Sequence, residues 1–151
     1  MRFNQQIVTI GVGTIRKSLL QLEESYNESE LALRYYQKET ALSIVCYEDI
    51  GINRLFGKHT SAEIQQFVMQ VLEPIVSKKD LTLFKTLACY IQQNRSISKT
   101  ASELHIHQNT LYHRLKRIEQ ILNRELDNAE QFLEISLAVY LFTTNEQDMK
   151  R

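Results

Sequence analysis

Between Ile97 and Leu122 the chain reads ISKTASELHIHQNTLYHRLKRIEQIL. Its second half surrounds Leu111, Leu115, Ile118 and Leu122 with Gln108, Asn109, Thr110, Tyr112, His113, Arg114, Lys116 and Arg117. Asparagine and glutamine amides pair bidentately with adenine. A guanidinium suits guanine or phosphate, and a threonine meets either base type or a thymine methyl. The four apolar residues recur at steps of four, three and four, one stripe of an amphipathic helix. A helix divided into an apolar stripe and a donor-rich face is what reading base edges in the major groove requires. Recognition helices present their N-terminal residues to the bases. The expected base contacts are therefore His107, Gln108, Asn109, Thr110, Tyr112, His113 and Arg114. Ser98, Lys99, Thr100, Lys116 and Arg117 supply the hydroxyl and cationic donors that suit the phosphate backbone.

Such a helix reads DNA only if others hold it. The spacing predicts a short helix from Ser98 to Leu104, capped by Ser98 or Ile97, and a tight link around His105 to His107. Ala101 is small enough to let the two helices cross closely, and Leu104 and Ile106 anchor the turn. Leu83, Phe84, Leu87, Ala88 and Ile91 mark a helix over Leu81 to Gln93. Ala129 to Phe142 is a last helix, apolar enough to brace the unit.

The first half reads α/β. QIVTIGV (Gln6 to Val12) and ALSIVCY (Ala41 to Tyr47) are β-branched, apolar runs, hence strands. Asn27 to Lys38 reads as a helix capped by Asn27 or Ser25. Asp49 begins a short capped helix ending at Gly57. Ser61 to Leu72 is a helix with Ile64, Phe67, Val68, Val71 and Leu72 on one face. Pro74 and the polar SKKD at 77–80 mark the boundary, giving an α+β portion over 1–76 and an all-α domain over 77–151. Two strands are too few for a stable sheet, so the sequence reads as beginning inside a larger domain.

The net charge of zero over 151 residues argues at first against a nucleic-acid partner. Its distribution argues for one. Asn94 to Arg124 holds six Lys or Arg against two Glu, whereas Met1 to Asp80 holds nine basic residues against ten acidic. Cys46 and Cys89 lie in apolar runs and read as buried free thiols, which with the absence of a signal-peptide pattern fits a reducing, cytoplasmic setting. His105, His107 and His113 do not place three ligands on one side, and there is no CxxC or HxxxH pair, so no metal is expected. Gly11-Val12-Gly13 is too short for a phosphate loop, and no motif fixes a nucleophile. The expectation is a protein without a cofactor or catalytic site.

The stretch from Leu81 to Leu141 resembles the C-terminal helix-turn-helix domain of the PucR/CdaR family of bacterial transcriptional regulators. The resemblance rests on Asn94, the run Ile97 to Ala101, Leu104, Ile106-His107, Asn109 to Leu111, His113 to Ile118, and Asp127. IVTIGVG, the helix after Tyr26 and LSIVCYED are similar, in that order, to the second half of the degenerate GGDEF-like domain that precedes this module in the family. The resemblance implies DNA binding through His107 to Arg117, and likeness to Fis-type units points to the same face. The family commonly has Arg at the position of Gln108 and Arg-Tyr at Tyr112-His113, departures that bear on the preferred DNA sequence and not on the fold. The GGDEF signature loop is absent, and the effector is expected to be sensed upstream. A single unit buries little surface, so a homodimer on repeated half-sites is expected.

Overall fold

The computed structural model describes residues 8–35, 42–77 and 81–148. The expected strand starts at Gln6 and Ala41, the helix end at Lys38 and the boundary residues 78–80 lie outside these. The chain divides into two compact units, 1–59 and 60–151.

In the first unit, strand β1 (Val8–Val12) pairs in parallel with β2 (Leu42–Cys46), Val8 opposite Leu42 and Val12 opposite Cys46. Helix α1 (Leu22–Arg34) packs on one face of this pair. Side chains alternate across a strand. Ser43 and Val45 are buried together with Leu31, Ala32 and Ile50, while Val8, Ile10, Val12 and Ile44 are exposed on the opposite face.

Helix α1 begins five residues before Asn27, at Leu22. Ser18 caps a 3-10 turn over Leu19–Gln21 that runs straight into it, and Glu23 and Glu24 occupy its first turn. Ser25 is thus not a cap; its hydroxyl donates to the Thr14 carbonyl at 2.8 Å. The expected cap at Asp49 is also displaced. A 3-10 segment covers Tyr47–Phe56 from an N-cap at Cys46, broken where Gly51 takes φ +59°, so Asp49 lies inside its first turn.

The second unit is five helices: α2 (Ser61–Val76), α3 (Thr82–Gln92), α4 (Ile97–Glu103), α5 (Gln108–Leu122) and α6 (Ala129–Asp148). Pro74 does not end α2, because it sits in the last turn and the helix closes three residues later with Ser77 N–H on Glu73 O at 3.0 Å. Ile64, Val68, Val71, Leu72 and Ile75 form the buried face of α2, which packs on α6 and α5. The compact unit therefore takes in α2, ahead of the boundary expected after residue 76. Leu87, Leu111, Ile118, Ile135 and Leu141 are its most deeply buried large side chains, along with Leu72 and Ile75.

Helix α2 starts on a reciprocal cap. Thr60 Oγ1 accepts from Glu63 N–H at 3.2 Å, and Glu63 Oε2 accepts from Thr60 N–H at 2.7 Å. Thr60→Ala is expected to cost the second unit about 1 kcal/mol in chemical denaturation. A loss below about 0.3 kcal/mol would show that the first turn of α2 frays at no cost.

Candidate nucleic-acid interface

Helices α3, α4 and α5 pack on one another. Ser96, one residue earlier than expected, is the N-cap of α4, its Oγ accepting from Lys99 N–H at 3.4 Å. Ser98 and Lys99 are exposed. Thr100 is not: it is fully buried and its hydroxyl donates to Ser96 O at 2.7 Å. A phosphate contact at Thr100 is therefore corrected to a core position. The four-residue step from Ser96 turns it inward beside Ala101, which is buried where α4 meets α5.

The link from α4 to α5 is a Schellman closure. Ile106 N–H reaches back to Ala101 O at 3.0 Å and His105 N–H to Ser102 O at 3.1 Å, with His105 left-handed at φ +52°. The same closure ends α3, where Arg95 N–H bonds Tyr90 O and Asn94 N–H bonds Ile91 O. Asn94, Arg95, His105 and Asn123 all hold positive φ, and no glycine occurs after Gly57. A histidine in this conformation carries strain of roughly 1–2 kcal/mol that glycine lacks, offset by the chain entropy glycine loses. His105→Gly is accordingly expected to raise stability by about 0.5–1 kcal/mol, read as a higher melting temperature. A lower one would mean that the imidazole itself holds the turn.

Helix α5 turns Leu111, Leu115, Ile118 and Leu122 inward. Gln108, Asn109, Thr110, Tyr112, His113, Lys116 and Arg117 are all exposed on the outer side, Tyr112 at 55%. Two of the expected base contacts are differently placed. His107 is the N-cap, its Nδ1 accepting from Asn109 N–H at 3.2 Å. Arg114 lies half-buried at the flank, its Nη1 donating to Thr86 Oγ1 on α3 at 3.3 Å.

The local positive charge also divides. Arg95 is bound to Asp127 at 2.8 Å and lies over the Phe132 ring at 4.7 Å, while Arg124 is paired with Glu134 at 3.0 Å. Tyr90 meets Phe132 edge-on, so Arg95 ties the α3–α4 turn to the start of α6. The hydrogen bond that Arg95 donates to Tyr90, together with the Asp127 carboxylate, raises the Arg95 pKa further above its ordinary value, against the opposing effect of desolvation. Lys99, Arg114, Lys116 and Arg117 have no ion pair among the described residues. Of these, Lys99, Lys116 and Arg117 are exposed and form the cationic surface of this stretch that remains open. Sequence reasoning missed the Arg95 clamp; the signal was Asp127 just before the last helix, which marks an N-terminus but not its distant partner. Burial, with a contribution from Glu103, pushes the Cys89 thiol up, whereas Cys46 is only half-buried. Among the described residues no cluster of His, Cys, Asp or Glu could hold a metal, and no helix is long and apolar enough to cross a membrane.

Residues 83–141 match the PucR C-terminal helix-turn-helix domain. The chain is 26% identical over 139 residues to the purine catabolism regulatory protein of Bacillus subtilis (strain 168), covering 89% of this chain and 26% of that protein. It is 27% identical over 146 residues to the DNA-binding transcriptional activator AdeR of the same organism, covering 93% of this chain and 35% of AdeR. The chain thus spans about a quarter to a third of the length of these curated relatives. A regulator of polyketide synthase expression from Bifidobacterium adolescentis shares the fold, with TM-score 0.51 at 16% identity over 82% of this chain and 50% of that one.

Proposed function

We infer that this chain, which corresponds to the C-terminal part of a PucR-family transcriptional regulator, binds double-stranded DNA sequence-specifically with α5 in the major groove. The observation that carries the reading is the outer face of α5. It presents Gln108, Asn109, Thr110, Tyr112 and His113 to solvent above a closed apolar stripe, flanked by the exposed cations Lys116 and Arg117. Asn109 and Gln108 suit adenine edges, and Thr110 a thymine methyl. Lys116, Arg117 and, from α4, Lys99 and Ser98 suit phosphates. His107 serves the first turn of α5 as its cap.

In this reading the chain is a cytoplasmic, non-enzymatic regulator. The helix-turn-helix domain lies within the second unit, 60–151, and the first unit is the end of a degenerate GGDEF-like domain. Its parallel strand–helix–strand order and the exposed apolar face of Val8, Ile10, Val12 and Ile44 support an added role in homodimerisation or signal relay. A sedimentation profile that stays monomeric at high concentration would remove that role. Effector sensing belongs upstream of this part.

Selection of bound duplexes from a random library tests the central claim. A consensus with repeated half-sites is expected, and Asn109→Ala should lose discrimination at one position by about 1–3 kcal/mol. Recovery of no consensus would defeat sequence-specific reading. Affinity independent of salt would defeat phosphate binding as well.

A further inference from the structure

Arg114 on α5 is tied to another helix by a side-chain hydrogen bond. Thr86 on α3 is fully buried, and its hydroxyl proton is already committed to Thr82 O at 2.7 Å. Its oxygen is left with lone pairs only, and Arg114 Nη1 approaches it at 3.3 Å across 28 residues of sequence. A guanidinium is always charged and its five donors lie in a fixed plane, so one anchored Nη1 restrains the orientation of the whole group. Arg114 sits between the buried stripe of α5 and its exposed face, where rotation of the helix on α3 would move every outward side chain.

We propose that Arg114 is a positioning residue that sets the roll of α5 on α3 through Thr86, rather than a reader of a base. This rests on the DNA-binding reading above. A hydrogen bond from a charged donor is worth more than one between neutral groups, and here it fixes a surface on which several contacts must register together. The donors left free on the guanidinium point its charge at the phosphate backbone, which carries no sequence information.

Two measurements on the full chain separate this proposal from the DNA-binding reading. The first needs no DNA. A double-mutant cycle of Thr86→Val with Arg114→Ala in thermal unfolding is expected to show coupling, and strictly additive losses would overturn the proposal. The second uses the duplex selected from the random library. Thr86→Val, which keeps the shape of the side chain and removes its oxygen, is expected to weaken binding about tenfold, and Thr86→Ser to restore it. Arg114→Ala should weaken binding while the consensus it selects stays the same as that of the unaltered chain. The proposal is overturned if Thr86→Val binds as the unaltered chain does while Arg114→Ala erases the preference at a single base pair. If the unaltered chain binds no DNA, the DNA-binding reading fails, and the unfolding cycle alone decides whether Arg114 docks α5 on α3.

Discussion

Lys116→Glu combined with Arg117→Glu should abolish DNA binding at physiological salt while leaving the helices folded. Both side chains are exposed on α5, and neither has an ion pair among the described residues. Reversing them therefore breaks no contact that holds α5 to its neighbours. The cost to stability is confined to like-charge neighbours such as Glu119, a few tenths of a kcal/mol at most. The cost to binding is far larger. Each phosphate neutralised by a cation contributes about 0.9 to the slope of log affinity against log salt, about tenfold in affinity near 0.1 M. Losing two such contacts and adding repulsion should weaken binding by a hundredfold or more, and flatten the salt slope by about 2. The check is a fluorescence-anisotropy titration at several salt concentrations, beside a thermal melt. An unchanged slope would show that this edge of α5 faces away from the DNA. Because Arg95 and Arg124 are held by Asp127 and Glu134, reversing either of them instead should damage stability first.

That division of the cations was only half legible in the sequence. The focusing of positive charge between Asn94 and Arg124 was visible, as was the apolar stripe of α5, since both depend on residue type and period alone. Which cations stay free depends on partners far along the chain. Asp127 lies 32 residues from Arg95, and no local rule links them. Thr100 shows the same limit from the other side. Its type suited a phosphate, but it lies with Ala101 on the buried face of α4. The helix ends were hard to place for a related reason. Glycine is the usual punctuation of a helix C-terminus, and this unit closes three helices with Asn94, His105 and Asn123 in the left-handed region. Asparagine is tolerated there and weakly signals it, but histidine gives no sequence warning. Pro74 misled in the opposite sense: it marked a boundary, while the apolar face of α2 made the helix part of the second unit's core. In the first unit the strands were legible from their β-branched runs, and the start of α1 was not, because a 3-10 turn carries it five residues upstream.

The glycine that follows β1 gives the largest stability effect expected in the first unit. A Cβ built on Gly13 would lie 2.0 Å from the Ser25 carbonyl oxygen and 2.7 Å from Ser25 Oγ, both on α1. The strand end cannot simply move away. Ser25 Oγ donates to Thr14 O at 2.8 Å, and Glu28 Oε2 accepts from Thr14 N–H at 2.8 Å and from Thr14 Oγ1 at 2.5 Å, so α1 holds the neighbouring residue by three hydrogen bonds. Glu28 is also bound by Arg16. Burial alone would raise the Glu28 carboxyl; the Thr14 bonds and the Arg16 charge outweigh it and hold the group below its ordinary value. Its contribution is thus present above the ordinary carboxylate range and is lost as pH falls through the lowered value. Gly13→Val must therefore either break this set of bonds or push α1 from the strand pair, at a cost of roughly 1–3 kcal/mol or more. The core of the first unit is small, chiefly Leu31, Ala32, Val45 and Ile50, and a two-stranded sheet is marginal by itself. A loss of that size should open it. Hydrogen exchange should show β1 and α1 losing protection while the amides of α5 keep theirs. If β1 and α1 stay protected in Gly13→Val, the strand end is free to shift and the close approach is not what holds the helix to the sheet.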